Sequence, residues 1–318
     1  MVSCSLGIAF GQESYLYSFP SGHPFNNSRL GPFSKFLQNL SKSNLEISIF
    51  EPRMAEERDL YLFHDPAYVD FVRKSSKRGE GYLDYGDTPS YKGVFEASLY
   101  TVGSTLEGMR KIVRAEVDHF FNPVGGLHHA RRDSAGGFCV FNDAAIAIGW
   151  ALEALKLERI AYVDIDAHHG DGVYYGYESD ERVIIADIHE DGRYLYPGTG
   201  FSGEIGKGRA QGTKLNIPLP PGSGDSAFLK AFEAVESFVE KFKPQFILFQ
   251  CGADGLRGDP LTHLQYTSKA HSHAAKKLHD ISHKLCEGRL LAMGGGGYNP
   301  SNVESAWSSV VRELMIRV

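Results

Sequence analysis

The chain predicts a single α/β domain, with a mostly parallel central sheet and helices on both faces. Three features carry that prediction. Short apolar runs alternate with longer helix-like segments along most of the sequence. Four of those runs end in glycine plus polar residues, as strands do when they feed a common site at one sheet edge. Neither an internal repeat nor a low-complexity linker divides residues 1–318, so one domain is the simplest count.

Taken in order, Ser5 to Phe10 reads as a first strand. The loop Phe19 to Arg29 follows, its glycine and prolines arguing against helix. Pro32 to Leu40 reads as helix and Ile47 to Phe50 as a short strand. Asp65-Pro opens another helix, proline being suited to a first turn. A Gly-, Asp- and Pro-rich loop covers Gly79 to Tyr91, a long helix Val94 to Val113, and a strand Val117 to Phe121. That strand feeds the polar, glycine-rich exit Asn122-Pro-Val-Gly-Gly-Leu-His-His-Ala-Arg. Asn142 to Leu155 is an Ala- and Ile-rich helix, and Val183 to His189 a strand ending in polar groups. Leu215 to Leu219 is extended, Asp225 to Phe242 helical, and Phe246 to Gly252 a buried strand that runs into Asp254. Thr267 to Cys286 is helical, Leu290 to Met293 a strand ending in four glycines and Tyr298, and Ser301 to Ile316 a last helix.

The most informative stretch lies between these elements. Ile160-Ala-Tyr-Val is a buried strand, and Gly170 and Gly172 mark the turn after it. Between them Asp164, Asp166 and His168 are spaced by two, which in extended chain puts all three on one face. A strand followed by a polar turn would explain one such residue. Three buried polar groups on one face cost several kcal/mol unless they are paired or bind a metal.

Composition narrows the function. The apolar fraction of 42% is ordinary for a globular chain, and the formal charge of −6 argues against nucleic-acid or anionic-membrane partners. No run reaches the ~18 apolar residues of a membrane span, and the N-terminus lacks a basic segment followed by an apolar core. Cys4, Cys139, Cys251 and Cys286 are scattered, without a Cys-x-x-Cys, so reduced thiols in a cytoplasmic protein are expected.

Six segments, in order along the chain, resemble one family. They are Gly125-Gly-Leu-His-His-Ala, Gly137-Phe-Cys-Val-Phe-Asn-Asp, Asp164-Ile-Asp-Ala-His-His-Gly-Asp-Gly, Tyr196-Pro-Gly-Thr-Gly, Gly252-Ala-Asp-Gly-Leu-Arg-Gly-Asp-Pro-Leu and Gly294-Gly-Gly-Gly-Tyr. Together they resemble the histone deacetylase superfamily, and Gly22 to Arg29 is most similar to its acetoin-utilisation and class I branch. The resemblance implies an arginase-like, doubly wound α/β fold. It implies zinc-dependent removal of acetyl groups from the N-acetyl-lysine of a protein or peptide, with acetylated polyamines as the alternative substrate.

Carried onto this sequence, the resemblance makes Asp166, His168 and Asp254 the zinc ligands. Three protein ligands with a fourth position for water is the arrangement of a catalytic zinc site, although two carboxylates also suit iron(II) or cobalt(II). His128 and His129 become tandem catalytic histidines, oriented by Asp164 and Asp171, with His129 the general base. Tyr298 becomes the oxyanion donor. Gly137, Phe138 and Tyr196 match the walls of a narrow tunnel, Phe138 being read equally well as core, and Asp87 matches a rim aspartate that binds substrate amides. Arg29 matches the arginine of an internal channel for acetate, a surface arginine being the plainer reading.

A structural potassium site is implied at Asp164, Asp166, His168, Asp187 and Ile188, where Asp187 departs from a common serine. Two other functions compete. An arginase-like binuclear manganese enzyme would need a carboxylate where this chain has Gly170, and a non-catalytic acyl-lysine reader would be signalled by a degenerate site. The histidines 263, 271, 273, 279 and 283 lie in a Lys-rich amphipathic segment and read as a solvated helix face.

Overall fold

The computed structural model describes residues 4–20, 22–40 and 47–316, so residue 21 of the predicted Phe19–Arg29 loop lies outside it. The elements run β1 (Leu6–Ala9), α1 (Gly31–Leu40), β2 (Ile47–Phe50), α2 (Glu57–Leu60), α3 (Pro66–Arg78), α4 (Val94–Val113), β3 (His119–Asn122), α5 (Asp143–Glu153) and β4 (Ile160–Asp164). They continue with α6 (Asp171–Tyr177), β5 (Val183–Glu190), β6 (Lys214–Leu219), α7 (Asp225–Phe242), β7 (Ile247–Gln250), α8 (Ser268–Leu285), β8 (Leu290–Met293) and α9 (Pro300–Leu314).

The strands form one sheet in the order β2-β1-β3-β8-β7-β4-β5-β6, every pair parallel. Parallel strands buried on both faces need apolar residues on both, which is why these strands read as continuous runs. Successive residues divide between two cores. Phe120, Tyr162 and Leu291 pack with α3, α4 and α5 on one face. Phe121, Val163 and Ala292 pack with α1, α7, α8 and α9 on the other. The four polar strand exits belong to β3, β8, β7 and β4, which are consecutive neighbours in the sheet. Their C-terminal ends therefore meet along one stretch of one edge.

Most predicted elements stand where the sequence puts them, and the differences have local causes. A short 3-10 turn, Asn27–Leu30, covers the end of the loop read as non-helical, capped by the Asn26 side chain. β3 starts at His119, two residues late, and just before it the Asp118 side chain accepts from the Ser5 amide and hydroxyl. The helix α6 was not predicted: two of its seven residues are glycine, which weakens helix propensity. Tertiary contact holds it, with Gly172 close against the carbonyls of His128 and Ala130.

The reading of the late histidines as a solvated face is corrected. His271 and His279 are buried on the inner stripe of α8, while Lys269, Lys276 and Lys284 take the outer face. Only His263 is exposed among the five. Among the described residues, no helix is long and apolar enough to cross a membrane.

Candidate active site

β4 ends at Asp164, so strand geometry does not carry Asp166 and His168 onto one face as the spacing alone implied. Local hydrogen bonds do it instead. Asp164 Oδ1 accepts from the Asp166 amide at 3.0 Å, and Asp166 Oδ1 accepts from the His168 amide at 3.0 Å. Asp164 turns away from the other two, taking the Tyr162 hydroxyl at 2.5 Å and His128 Nδ1 at 2.8 Å on its other oxygen.

Asp166 and His168 meet Asp254, delivered by the exit of β7. His168 Nδ1 lies 3.1 Å from Asp166 Oδ1 and 3.0 Å from Asp254 Oδ2, and all three side chains are buried. The remaining carboxylate oxygens are held from behind. Gln250 Nε2 and the Gly296 amide donate to Asp166 Oδ2 at 2.9 and 2.8 Å, and the Ala167 amide donates to Asp254 Oδ1 at 2.8 Å. One donor atom from each residue is thus turned to a common point, and the trio can hold a metal ion. Two carboxylates share a single imidazole, which suits a divalent cation. Burial and then the charge of Asp166 push Asp254 up to about 7. Burial works against protonating His168, but the two carboxylates raise it to about 10.

The exit of β3 brings in the tandem histidines. His128 Nδ1 faces Asp164, and His129 Nδ1 lies 2.8 Å from Asp171 Oδ1, whose other oxygen accepts from Arg131 at 2.9 Å. The two Nε2 atoms are 3.0 Å apart. Burial alone would lower His128, but Asp164 and Asp166 outweigh it and raise it to about 9. Burial and then the neighbouring His128 push His129 down to about 4. The two rings are therefore pushed in opposite directions, His128 up and His129 down.

Tyr298, from the exit of β8, packs edge-on to Phe138 and Phe25 at ring distances of 5.8 and 6.3 Å. It lines a narrow slot together with His128, His129, Gly137, Cys139 and Asp166. Burial, and then Asp254 and Asp166, raise its phenol well above the ordinary value, so it stays protonated. A wider cavity of about 660 Å³ lies at the surface, and Asp87, His129, Asp171 and Tyr196 are among its walls. The Tyr196 ring stands 5.0 Å from His129, nearly perpendicular to it. Gly137 has φ +52°, and a Cβ there would fall 2.4 Å from the His129 ring. Phe138 has φ +67° and is partly buried, its ring edge-on to His23 and Phe25.

Arg29 is not on the surface. It is buried, donates to the Gly295 carbonyl at 2.6 Å, and lies over the Phe25 ring at 4.2 Å. Asp187 and Ile188 are buried in β5. Asp187 accepts from the Gly170 amide at 2.9 Å with one oxygen and pairs with His189 Nδ1 at 2.6 Å with the other, so its carboxylate is already partnered. Gly170 bears on the binuclear alternative. A Cβ there would lie 2.7 Å from Asp164 Oδ2 and 3.2 Å from His128 Nδ1, which leaves no room for a carboxylate.

Four positioning residues were not singled out from the sequence. Asn142 donates to the His128 and Ala130 carbonyls at 3.0 and 2.9 Å, and Asp143 accepts from the Gly126 and Leu127 amides at 3.0 and 2.8 Å. Asp259 accepts from the Tyr298 amide at 2.8 Å. Gln250 braces Asp166. The signal for three of them was present, since Asn142, Asp143 and Asp259 all lie inside motif segments.

An all-parallel α/β sheet carrying a buried Asp–His–Asp trio and two Asp–His pairs at its C-terminal edge defines a deacetylase-type hydrolase architecture. A histone deacetylase domain profile matches residues 23–314, and the chain belongs to that family. It is 37% identical to the acetoin utilization protein AcuC of Bacillus subtilis, over 94% of this chain and 79% of that one. It is 36% identical to a probable deacetylase of Archaeoglobus fulgidus, over 92% and 81%. A probable histone deacetylase 1-A of Xenopus laevis is 34% identical over 92% of this chain and 61% of its own length. The crystal structure of the HDA15 HD domain superposes with a TM-score of 0.89 at 27% identity, covering 98% of this chain and 89% of that one.

Proposed function

We propose that this protein is a zinc-dependent amidohydrolase that removes acetyl groups from N-acetyl-lysine side chains of proteins or peptides. One observation carries the reading: the Asp166–His168–Asp254 trio and both Asp–His pairs are buried together, with the partly buried Tyr298 beside them, at four neighbouring strand ends. Asp166, His168 and Asp254 would hold the ion. Zinc there supplies Lewis acidity, polarising an amide carbonyl and acidifying a water molecule.

The chain's own groups do the rest. His129, kept neutral and oriented by Asp171, accepts the proton of the attacking water. His128, paired with Asp164, supplies positive charge beside the reacting carbonyl and a proton for the leaving amine. Tyr298 donates its hydroxyl to the oxygen that gains charge. Gly137, Phe138 and Tyr196 flank the aliphatic stem, and Asp87 at the cavity mouth accepts from substrate backbone amides. Arg29, buried behind Tyr298, attracts the acetate product. Backbone oxygens around Asp164, Asp166, His168, Asp187 and Ile188 would take a potassium ion.

The test uses purified protein with an acetyl-lysine peptide and, in parallel, an acetylpolyamine. Acetate release that is abolished by a chelator, restored by zinc and blocked by a hydroxamate is expected with the peptide. Faster turnover of the polyamine would reassign the substrate. No such release from any acylated amine would overturn the enzymatic reading.

A further inference from the structure

A second group of donor side chains lies at the opposite, N-terminal edge of the sheet. Cys4 stands just before β1, His119 opens β3, and His279 and His283 are one turn apart near the end of α8. The alignment of Leu6 with His119, and of His119 with Leu290, sets the three strand starts level. Cys4 Sγ lies 3.7 Å from His279 Nε2 and 3.6 Å from His283 Nε2. His283 Nε2 lies 3.0 Å from His279 Nε2 and 3.2 Å from His119 Nε2. All four donor atoms fall within 4.8 Å of one another; three of the residues are buried and His283 half-buried.

Hydrogen bonding alone cannot satisfy this arrangement. A ring nitrogen either donates one hydrogen or offers one lone pair, yet His283 Nε2 faces three polar atoms at once. Protonating several of the rings would put like charges side by side in a buried place. Asp118, the residue before His119, is already turned to the Ser5 amide and hydroxyl at 2.7 and 2.8 Å. One ion at the centre would accept all four lone pairs together.

The four separations just given fit such an ion, and the other two stay within 4.8 Å. Zinc bonds of about 2.3 Å to sulfur and 2.0–2.1 Å to nitrogen, at tetrahedral angles, put nitrogens about 3.3 Å apart and nitrogen and sulfur about 3.6 Å apart. The rings also lie in different planes, with interplanar angles of 86°, 87° and 76°, so their lone pairs approach from separate directions. The surroundings are pre-set. Ser5 and Asp118 lock the two strand starts together, and Cys4 donates its amide to the Met315 carbonyl at 3.3 Å.

We propose that Cys4, His119, His279 and His283 form a second metal site, closed and tetrahedral, that takes a zinc-type divalent ion independently of the candidate active site. Four protein ligands and no open position make it structural in kind. It would tie the start of the chain to the end of α8, across 279 residues of sequence.

Cobalt(II) is the probe. The full chain is stripped with a chelator, reloaded with cobalt and read by absorption and by metal analysis. The Asp166–His168–Asp254 trio contains no sulfur, so a sulfur-to-cobalt charge-transfer band reports a thiolate site alone. The wild type is expected to take up roughly two ions per chain and to show the band. Cys4→Ser and His279→Gln should each take up one ion and lose the band, whereas Asp166→Ala should take up one ion and keep it. A wild-type chain that binds one ion without the band, or a Cys4→Ser chain that keeps the band, overturns the proposal. The wild-type result decides the matter even where a variant fails to fold.

Discussion

Tyr298 carries one hydroxyl whose loss should be felt in rate and nowhere else. Its ring is fixed by edge-on packing against Phe25 and Phe138, and a phenylalanine would keep those contacts. Its amide is held by Asp259, so the backbone does not depend on the hydroxyl either. Tyr298→Phe is therefore expected to lower kcat on an acetyl-lysine peptide by roughly 10²–10³-fold, with metal content and melting temperature unchanged. Full activity in that variant would remove Tyr298 from the chemistry. At this scale the candidate site was largely legible, because each of its chemical residues sits in a short glycine-marked strand exit. Gln250 was not, since a glutamine at the end of an apolar strand looks like any strand terminus until its amide is seen to brace Asp166. Cys4 and His119 were not legible at all. Their partners lie 275 and 164 residues away, and no local spacing reports a contact of that kind.

At the scale of the element, α5 does more than cover the sheet. Asn142 caps it by accepting from the Ala145 amide at 2.9 Å, and the same side chain donates to the carbonyls of His128 and Ala130. One residue thus fixes both the helix start and the histidine-bearing loop. Asn142→Ala should cost about 1 kcal/mol for the cap and about 1–3 kcal/mol for each buried carbonyl left unpaired. Asn142→Asp separates the two roles, because a carboxylate can still cap but cannot donate. Its charge is buried against two carbonyl oxygens, so it should unfold in urea earlier than Asn142→Ala, and it should show kcat reduced roughly ten- to a hundredfold as the histidines shift. Equal activity of Asn142→Asp and wild type would confine the residue to capping. The helix α6, which the sequence did not reveal, belongs to the same assembly. Its Gly172 is needed for close approach to the His128 and Ala130 carbonyls, and that packing overrides the weak helix propensity of a Gly-rich heptapeptide. The long helices α4 and α7 were legible to their last residues, because apolar periodicity and a glycine or aspartate start agree there.

The whole molecule buries neutral histidines in both cores, and this ties its stability to pH. On the face of α5, His64 accepts a hydrogen bond from the Asn142 amide at 2.9 Å, and burial pushes its pKa down to about 3. On the face of α8, His271 donates to the Gly252 carbonyl at 2.8 Å, and burial pushes it down to about 4. In the unfolded chain both titrate near 6.5. A folded value below the unfolded one means that unfolding takes up protons once the pH drops below about 6.5. The stability these groups contribute is therefore complete above that pH and is lost progressively as pH falls toward their folded values. For His64 alone the loss across the full range is on the order of a few kcal/mol. His64 also has a specific reason to stay neutral, since a protonated Nε2 would point a hydrogen at the Asn142 amide. Urea unfolding measured between pH 7 and pH 4 should show stability falling with acidity. His64→Gln keeps an acceptor for the Asn142 amide but cannot titrate, so its slope should be shallower than that of wild type. Parallel slopes in the two proteins would mean that His64 is not protonated on unfolding, and that the acid sensitivity comes from the carboxylates instead.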